Sequence, residues 1–344
     1  MPKENCPKFR VIGRASEDVK ARVEQETRNL LIQQNLDDLP NEWKEIIQQS
    51  ELPKTAEELS LINLANQKTS KLMMNAGLAA FDVPPNNFRL LPASAYEKMA
   101  QEKGSAGATV LMFQMITLNA GEARKSLLVF GCAVFHEMMH LKSHLTLQIE
   151  SEHEGALVKT SYREGLMVKP SQNIIAQNKY HEHFRGLNDA LVASQEKKFF
   201  QDLLKLSFIQ EKQKDFLDAE TIKIKEQASR ESGVPEDEIV WMSRDGKDGV
   251  TISYQPHREV LDFVVDKIQK ELPDQYSSKE QVLTEFLKAF FTGQISSLAR
   301  LVEKTFGPGS FEVLGMMGDD DQTPIQVLEY LKRARAHQIN ADKR

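Results

Sequence analysis

Leu127-Leu128-Val129-Phe130-Gly131-Cys132-Ala133-Val134-Phe135-His136-Glu137-Met138-Met139-His140 is the stretch that decides how this chain of 344 residues folds. Its first nine residues are apolar without a polar stripe, so the helix they begin is expected to be buried on all sides. The last five match H-E-x-x-H. Histidines four residues apart project from one face of a helix, and both imidazoles can then reach one zinc ion. The glutamate between them falls in the neighbouring sector, where it can serve an attacking water and take its proton. Two imidazoles and a carboxylate on a buried helix are costly unless a metal or a polar network receives them. Six of the eight histidines, His136, His140, His144, His153, His181 and His183, crowd into the same third of the chain.

Working outward, residues 108–118 are rich in branched and aromatic side chains and form the best strand candidate. Asn119-Ala120-Gly121 turns the chain into the helix, expected over 122–142. Residues 145–150 and 156–168 read as a hairpin around Glu152-His153-Glu154-Gly155, followed by a long helix opening near Gly186 and running toward Leu206. Upstream, residues 16–76 read as mainly helical, with Ser16 as a cap and Thr55-Ala56-Glu57-Glu58 as a capping box. Downstream, a second hairpin is expected around residues 245–249, then helices over 258–271, 279–292 and 295–306 and a last one opened by Thr323-Pro324. Leu283, Phe286, Leu287, Phe290 and Phe291 recur at helical spacing and are assigned to the core. The pattern is α+β: a helical region over 1–80, a central core over 81–210, and a mainly helical region with one β-hairpin over 211–344 packed on that core.

Composition narrows the function classes. With 44 Lys+Arg against 50 Asp+Glu, 40% hydrophobic and 27% charged residues, the chain is too apolar to be disordered throughout. Its net charge of −6 argues against nucleic acid as a partner. The longest apolar run, residues 126–135, falls short of the ~20 needed to cross a bilayer, so no membrane partner is expected. No apolar leader follows Met1, and Cys6 and Cys132 are the only cysteines, so a reducing, cytoplasmic setting without disulfides is expected.

The order strand, turn, buried H-E-x-x-H helix, hairpin and helix, over about residues 85–210, resembles the zincin metallopeptidases. That resemblance implies a small mixed sheet beside the active-site helix, Zn2+ as cofactor, and a peptide or protein substrate lying extended along an open strand edge, here residues 108–118. Three protein ligands leave one position open. The metzincin pattern asks for Gly at 143 and His at 146; Ser143 and Thr146 exclude it. The gluzincin-like pattern takes an acidic ligand from a downstream helix. Leu187-Asn188-Asp189-Ala190-Leu191-Val192 has that placement, with Asp where Glu is usual. Tyr162-Arg163-Glu164-Gly165-Leu166 has the letters but reads as strand. The metal ligands implied are therefore His136, His140 and Asp189, with Glu164 as the alternative and His144 also open. Glu137 takes the role of general base, and Tyr180, His183 or Tyr162 that of a second electrophile for the oxyanion.

Three functions compete. The first is a zinc-dependent peptidase with Glu137 as general base. The second is a catalytically inactive zincin-like binding or scaffold protein whose metal site is structural or degenerate; the Asp at 189 keeps it open. The third is a helical interaction protein in which the H-E-x-x-H match is accidental.

Overall fold

Ser126 opens the H-E-x-x-H helix, Leu127–Lys142, by accepting the Val129 N–H on its hydroxyl at 3.1 Å, so an amide the first turn leaves unpaired is satisfied. Every residue from 128 to 135 is buried, as the unbroken apolar run requires. The computed structural model describes residues 8–100, 103–153, 156–169, 182–212, 214 and 218–342. The architecture is mixed α+β, with helices packed around two small sheets and a separate hairpin.

Two long helices flank the H-E-x-x-H helix. On one side Ala56–Asn75 starts at the Thr55–Glu58 capping box and lays Thr69 Oγ1 3.3 Å from Met138 Sδ. Ser70 Oγ accepts from Lys142 Nζ at 3.0 Å, and burial brings that ammonium down to about 7. On the other side runs Arg185–Leu203, where Phe199 stacks on Phe135 with ring centroids 4.5 Å apart. One buried apolar cluster draws on all three sequence regions, including Leu61, Phe135, Leu187, Phe286, Phe290 and Phe291.

The first sheet corrects the strand expected over 108–118. Two strands occupy that stretch: β3 (Gly107–Val110) and β4 (Met115–Asn119), antiparallel, with β2 (Phe88–Leu91) parallel to β4 on its other side. The order β2-β4-β3 puts β4 inside the sheet and β2 and β3 at its two edges. The bend falls at Gln114, whose φ of 49° is left-handed. No sequence turn signal marks it. Gln114 is fully buried and held by partners from elsewhere: Lys8 Nζ donates to its Oε1 at 2.6 Å and Asn87 Nδ2 to its carbonyl at 2.7 Å.

The second sheet has the order β1-β5-β6-β7, with β1 (Phe9–Gly13), β5 (Leu145–His153), β6 (Ala156–Glu164) and β7 (Met167–Val168). The β5–β6 pair is the expected hairpin; Glu154 and Gly155 of its turn lie outside the described residues. The strand expected to run to 168 breaks at Gly165, where φ is +60°. There Asn188 Oδ1 accepts the Leu166 N–H at 3.0 Å. A Cβ on Gly165 would stand 2.5 Å from that oxygen and 2.7 Å from Phe290 Cδ2. Asn188 thus bridges the helix to the sheet. β1 is absent from the sequence reading; it pairs parallel to β5.

Downstream, β8 (Ile239–Met242) and β9 (Gly249–Thr251) form the second hairpin, and helices Gln255–Glu271, Lys279–Thr292, Ile295–Phe306 and Gln322–Asp342 complete the chain. Cys132 is buried and unpaired as a disulfide, and Cys6 lies outside the described residues. Among the described residues no helix is long and apolar enough to cross a membrane.

Candidate metal centre

The H-E-x-x-H helix and Arg185–Leu203 meet along faces that carry the polar residues. His136 and His140 occupy successive turns of the first. Asp189 and Glu196, seven residues apart, share one face of the second. His136 Nδ1 lies 2.8 Å from Glu196 Oε2, and its Nε2 lies 3.2 Å from His140 Nε2. Asp189 Oδ1 stands 3.8 Å from His140 Nε2. These groups open on a cleft of about 600 Å³, bounded by residues 104–109 at the β3 edge on one side and by Gly249, Val250 and Tyr254 on the other.

The electrostatics follow from burial among close partners. Burial disfavours charge on His136, but the bond to Glu196 and that carboxylate's charge outweigh it and raise the imidazole to about 9. His140 is pushed well below the ordinary histidine range by burial and by the neighbouring His136. Burial raises the Asp189 carboxyl, with His136 and Arg185 opposing. The half-buried Tyr254 hydroxyl is raised by burial and by the nearby Asp189 carboxylate, so it stays protonated.

Two imidazole nitrogens on one tetrahedral zinc stand about 3.3 Å apart at ordinary Zn–N lengths, and the Nε2 atoms here are 3.2 Å apart. Metal-bound histidines characteristically give their other ring N–H to a carboxylate, as His136 does to Glu196. Among the described residues, however, no three His, Cys, Asp or Glu side chains are already closed into a metal-holding group. Asp189 is the open member, its Oδ1 taking a 3.4 Å contact from Asn188 Nδ2. The donors fit the ion in kind and the two imidazoles fit it in spacing.

Glu137 lies beside the histidines on the cleft wall, with Thr109 Oγ1 2.7 Å from its Oε2. Glu164 also borders the cleft, but Lys169 Nζ donates to its Oε1 at 2.8 Å and Ser161 Oγ donates to the same atom. His144 is buried away from the pair, its Nε2 3.0 Å from Thr146 Oγ1. His183 is exposed, and its backbone bridges Val168; it borders a different hollow with Asp319 and Asp320, so the structure does not bring it to Glu137. Tyr180 and His181 lie outside the described residues. Tyr162 is not among the residues lining the cleft.

Sequence reasoning missed Glu196, Thr109 and Tyr254. The seven-residue spacing from Asp189 to Glu196 was a usable signal for the first. Thr109 lay inside the strand it identified. Nothing local marks Tyr254, which enters the cleft from the left-handed corner, φ 63°, before helix Gln255–Glu271. No family model, no curated protein and no solved structure matches the chain.

Proposed function

We propose that this chain is a zinc-dependent peptidase built on a zincin-like, gluzincin-like core. The 3.2 Å approach of the His136 and His140 Nε2 atoms, with Glu196 behind His136, carries the proposal. His136, His140 and Asp189 would hold the ion, and it would supply a Lewis acid that activates water and polarises a carbonyl.

The chain's own residues do the rest. The β3 edge offers unpaired main-chain groups to an extended peptide, the mode of strand addition. Glu137 receives the proton of the attacking water on its carboxylate and returns it to the leaving amine nitrogen. Tyr254, protonated at neutral pH, donates its O–H toward the developing oxyanion. In that role it replaces Tyr180 and His183, the candidates offered by the sequence.

Metal analysis and peptide cleavage test the proposal together. Wild type is expected to hold near-stoichiometric zinc and cleave members of a peptide library. Glu137→Gln should keep the zinc and lose roughly 10²- to 10⁴-fold in rate. Asp189→Ala should weaken zinc binding strongly and Glu164→Ala should not; the reverse pair of results would move the third ligand to Glu164. A Glu137→Gln variant that cleaves as fast as wild type would refute the assignment.

The stand-off of Asp189, 3.8 Å from His140, favours a second reading: a zincin-shaped binding protein without catalysis. Tight zinc with no cleavage of any peptide would select it. Absence of zinc at all would leave the H-E-x-x-H match accidental.

A further inference from the structure

We propose that β3 is built around the Glu137 side chain, with Gly107 and Thr109 forming a slot that sets its carboxylate and Thr109 acting as a positioning residue. This deepens the peptidase reading and rests on it for its kinetic consequence, but the slot can be tested without activity. Side chains alternate across a strand. Ala108 and Val110 pack away from the H-E-x-x-H helix, in a small cluster with Tyr96 and Met115. Positions 107 and 109 therefore face the helix, and both meet Glu137.

Thr109 Oγ1 lies 2.7 Å from Glu137 Oε2 and 2.9 Å from the Glu137 carbonyl oxygen. The same hydroxyl thus reaches both the carboxylate and the backbone that carries it. At Gly107 a Cβ would stand 2.9 Å from Glu137 Cγ, with Thr117 O at 3.4 Å behind it. The missing side chain is the space the glutamate passes through. The β3–β4 ladder asks for neither feature, since its hydrogen bonds are main-chain. A free carboxylate on a helix face samples several rotamers; a methylene in a groove and an oxygen on a hydroxyl leave it one. Because β3 is also an edge strand of its sheet, a segment laid along it comes into fixed register with Glu137. A base misplaced by about 1 Å can cost about 100-fold in rate.

The experiment uses Thr109→Val, which keeps the shape and β-branch but deletes the hydroxyl, beside Thr109→Ser, which keeps the hydroxyl. Both are made in the full chain, and kcat, KM, zinc content and the crystallographic Glu137 rotamer are measured for each. Thr109→Val is expected to lower kcat about 10- to 100-fold, with KM and zinc content unchanged and Glu137 spread over more than one rotamer. Thr109→Ser should return kcat to near wild type with a single rotamer. Wild-type kcat together with an unmoved Glu137 in Thr109→Val would overturn the slot. So would a Thr109→Ser variant as impaired as Thr109→Val, since packing rather than the hydroxyl would then be at work. If wild type cleaves no peptide, the rotamers decide: Glu137 displaced by Val and kept by Ser upholds the slot while the peptidase reading falls, and Glu137 unmoved in both refutes the slot as well.

Discussion

Glu196 acts on the site through the back of an imidazole. Its carboxylate fixes the His136 ring by Nδ1 and so aims Nε2 at His140, 3.2 Å away. Buried carboxylates are rare unless paired, and Glu196, with 8% of its surface exposed, is paired with that ring. Asp189 has the opposite character: burial raises it, and its distance to His140 leaves room for an ion to draw it in. Replacing Glu196 should therefore loosen the site without removing a ligand. Glu196→Ala is expected to weaken zinc binding about 10- to 100-fold, against a larger loss for His140→Ala, in a titration with a competing chelator. Equal affinity in Glu196→Ala and wild type would show that the ring holds its orientation by packing alone, and the inference from that hydrogen bond would fail.

At the scale of elements, helices were legible where their determinants are local. The Thr55–Glu58 capping box, the Ser16 cap and the apolar run before His136 each read correctly, because a cap and a 3.6-residue period involve neighbours in sequence, whereas the H-E-x-x-H helix starts at Leu127 rather than 122. Helix Arg185–Leu203 and the position of Asp189 on it were legible for the same reason. The bend inside 108–118 was not. Gln114 turns because Lys8 and Asn87, far away in sequence, satisfy its buried amide and carbonyl. β1 was missed because its parallel partner is β5, so nothing near it signals pairing. Glu196 was missed because a charge on a long helix ordinarily faces water. Gly165 stands between these cases: the Glu-Gly-Leu letters caught attention, yet the glycine serves geometry. It ends β6 in a left-handed corner and admits Asn188, which seats the first turn of the helix that carries Asp189. Gly165→Ala should cost about 2 kcal/mol or more, from the positive φ and the collision with Phe290, read as a lower urea midpoint at unchanged slope. Zinc affinity should fall with it, since Asn188 is the side chain displaced. A midpoint equal to wild type would mean that the corner relaxes freely and does not fix Asp189.

The far wall of the cleft depends on contacts that join parts of the molecule distant in sequence. Glu238, just ahead of β8, is 3% exposed. It receives both Arg258 terminal nitrogens, Nη1 at 2.9 Å, and Lys197 Nζ at 2.9 Å. One carboxylate thus ties the β8–β9 hairpin to helix Gln255–Glu271 and to the helix of Asp189. Tyr254 is tied into the same junction, since the Arg258 N–H donates to its carbonyl at 2.9 Å. Burial opposes ionisation of Glu238, but its hydrogen bonds to Arg258 and Lys197 win and lower its carboxyl below the usual range. A carboxylate lowered in the folded state binds fewer protons there than in the unfolded chain, so its contribution is complete above the ordinary value near ~4.3 and fades as pH falls through the folded one. Losing the carboxylate strands a buried guanidinium, a change worth about 3–5 kcal/mol. Glu238→Gln should accordingly be much less stable than wild type in urea at pH 7, still so at pH 5.5, with the gap narrowing below pH 4 as the wild-type carboxylate is protonated. A gap that stayed constant down to pH 3 would mean the glutamine disturbs packing rather than charge, and the junction would owe nothing to ionised Glu238.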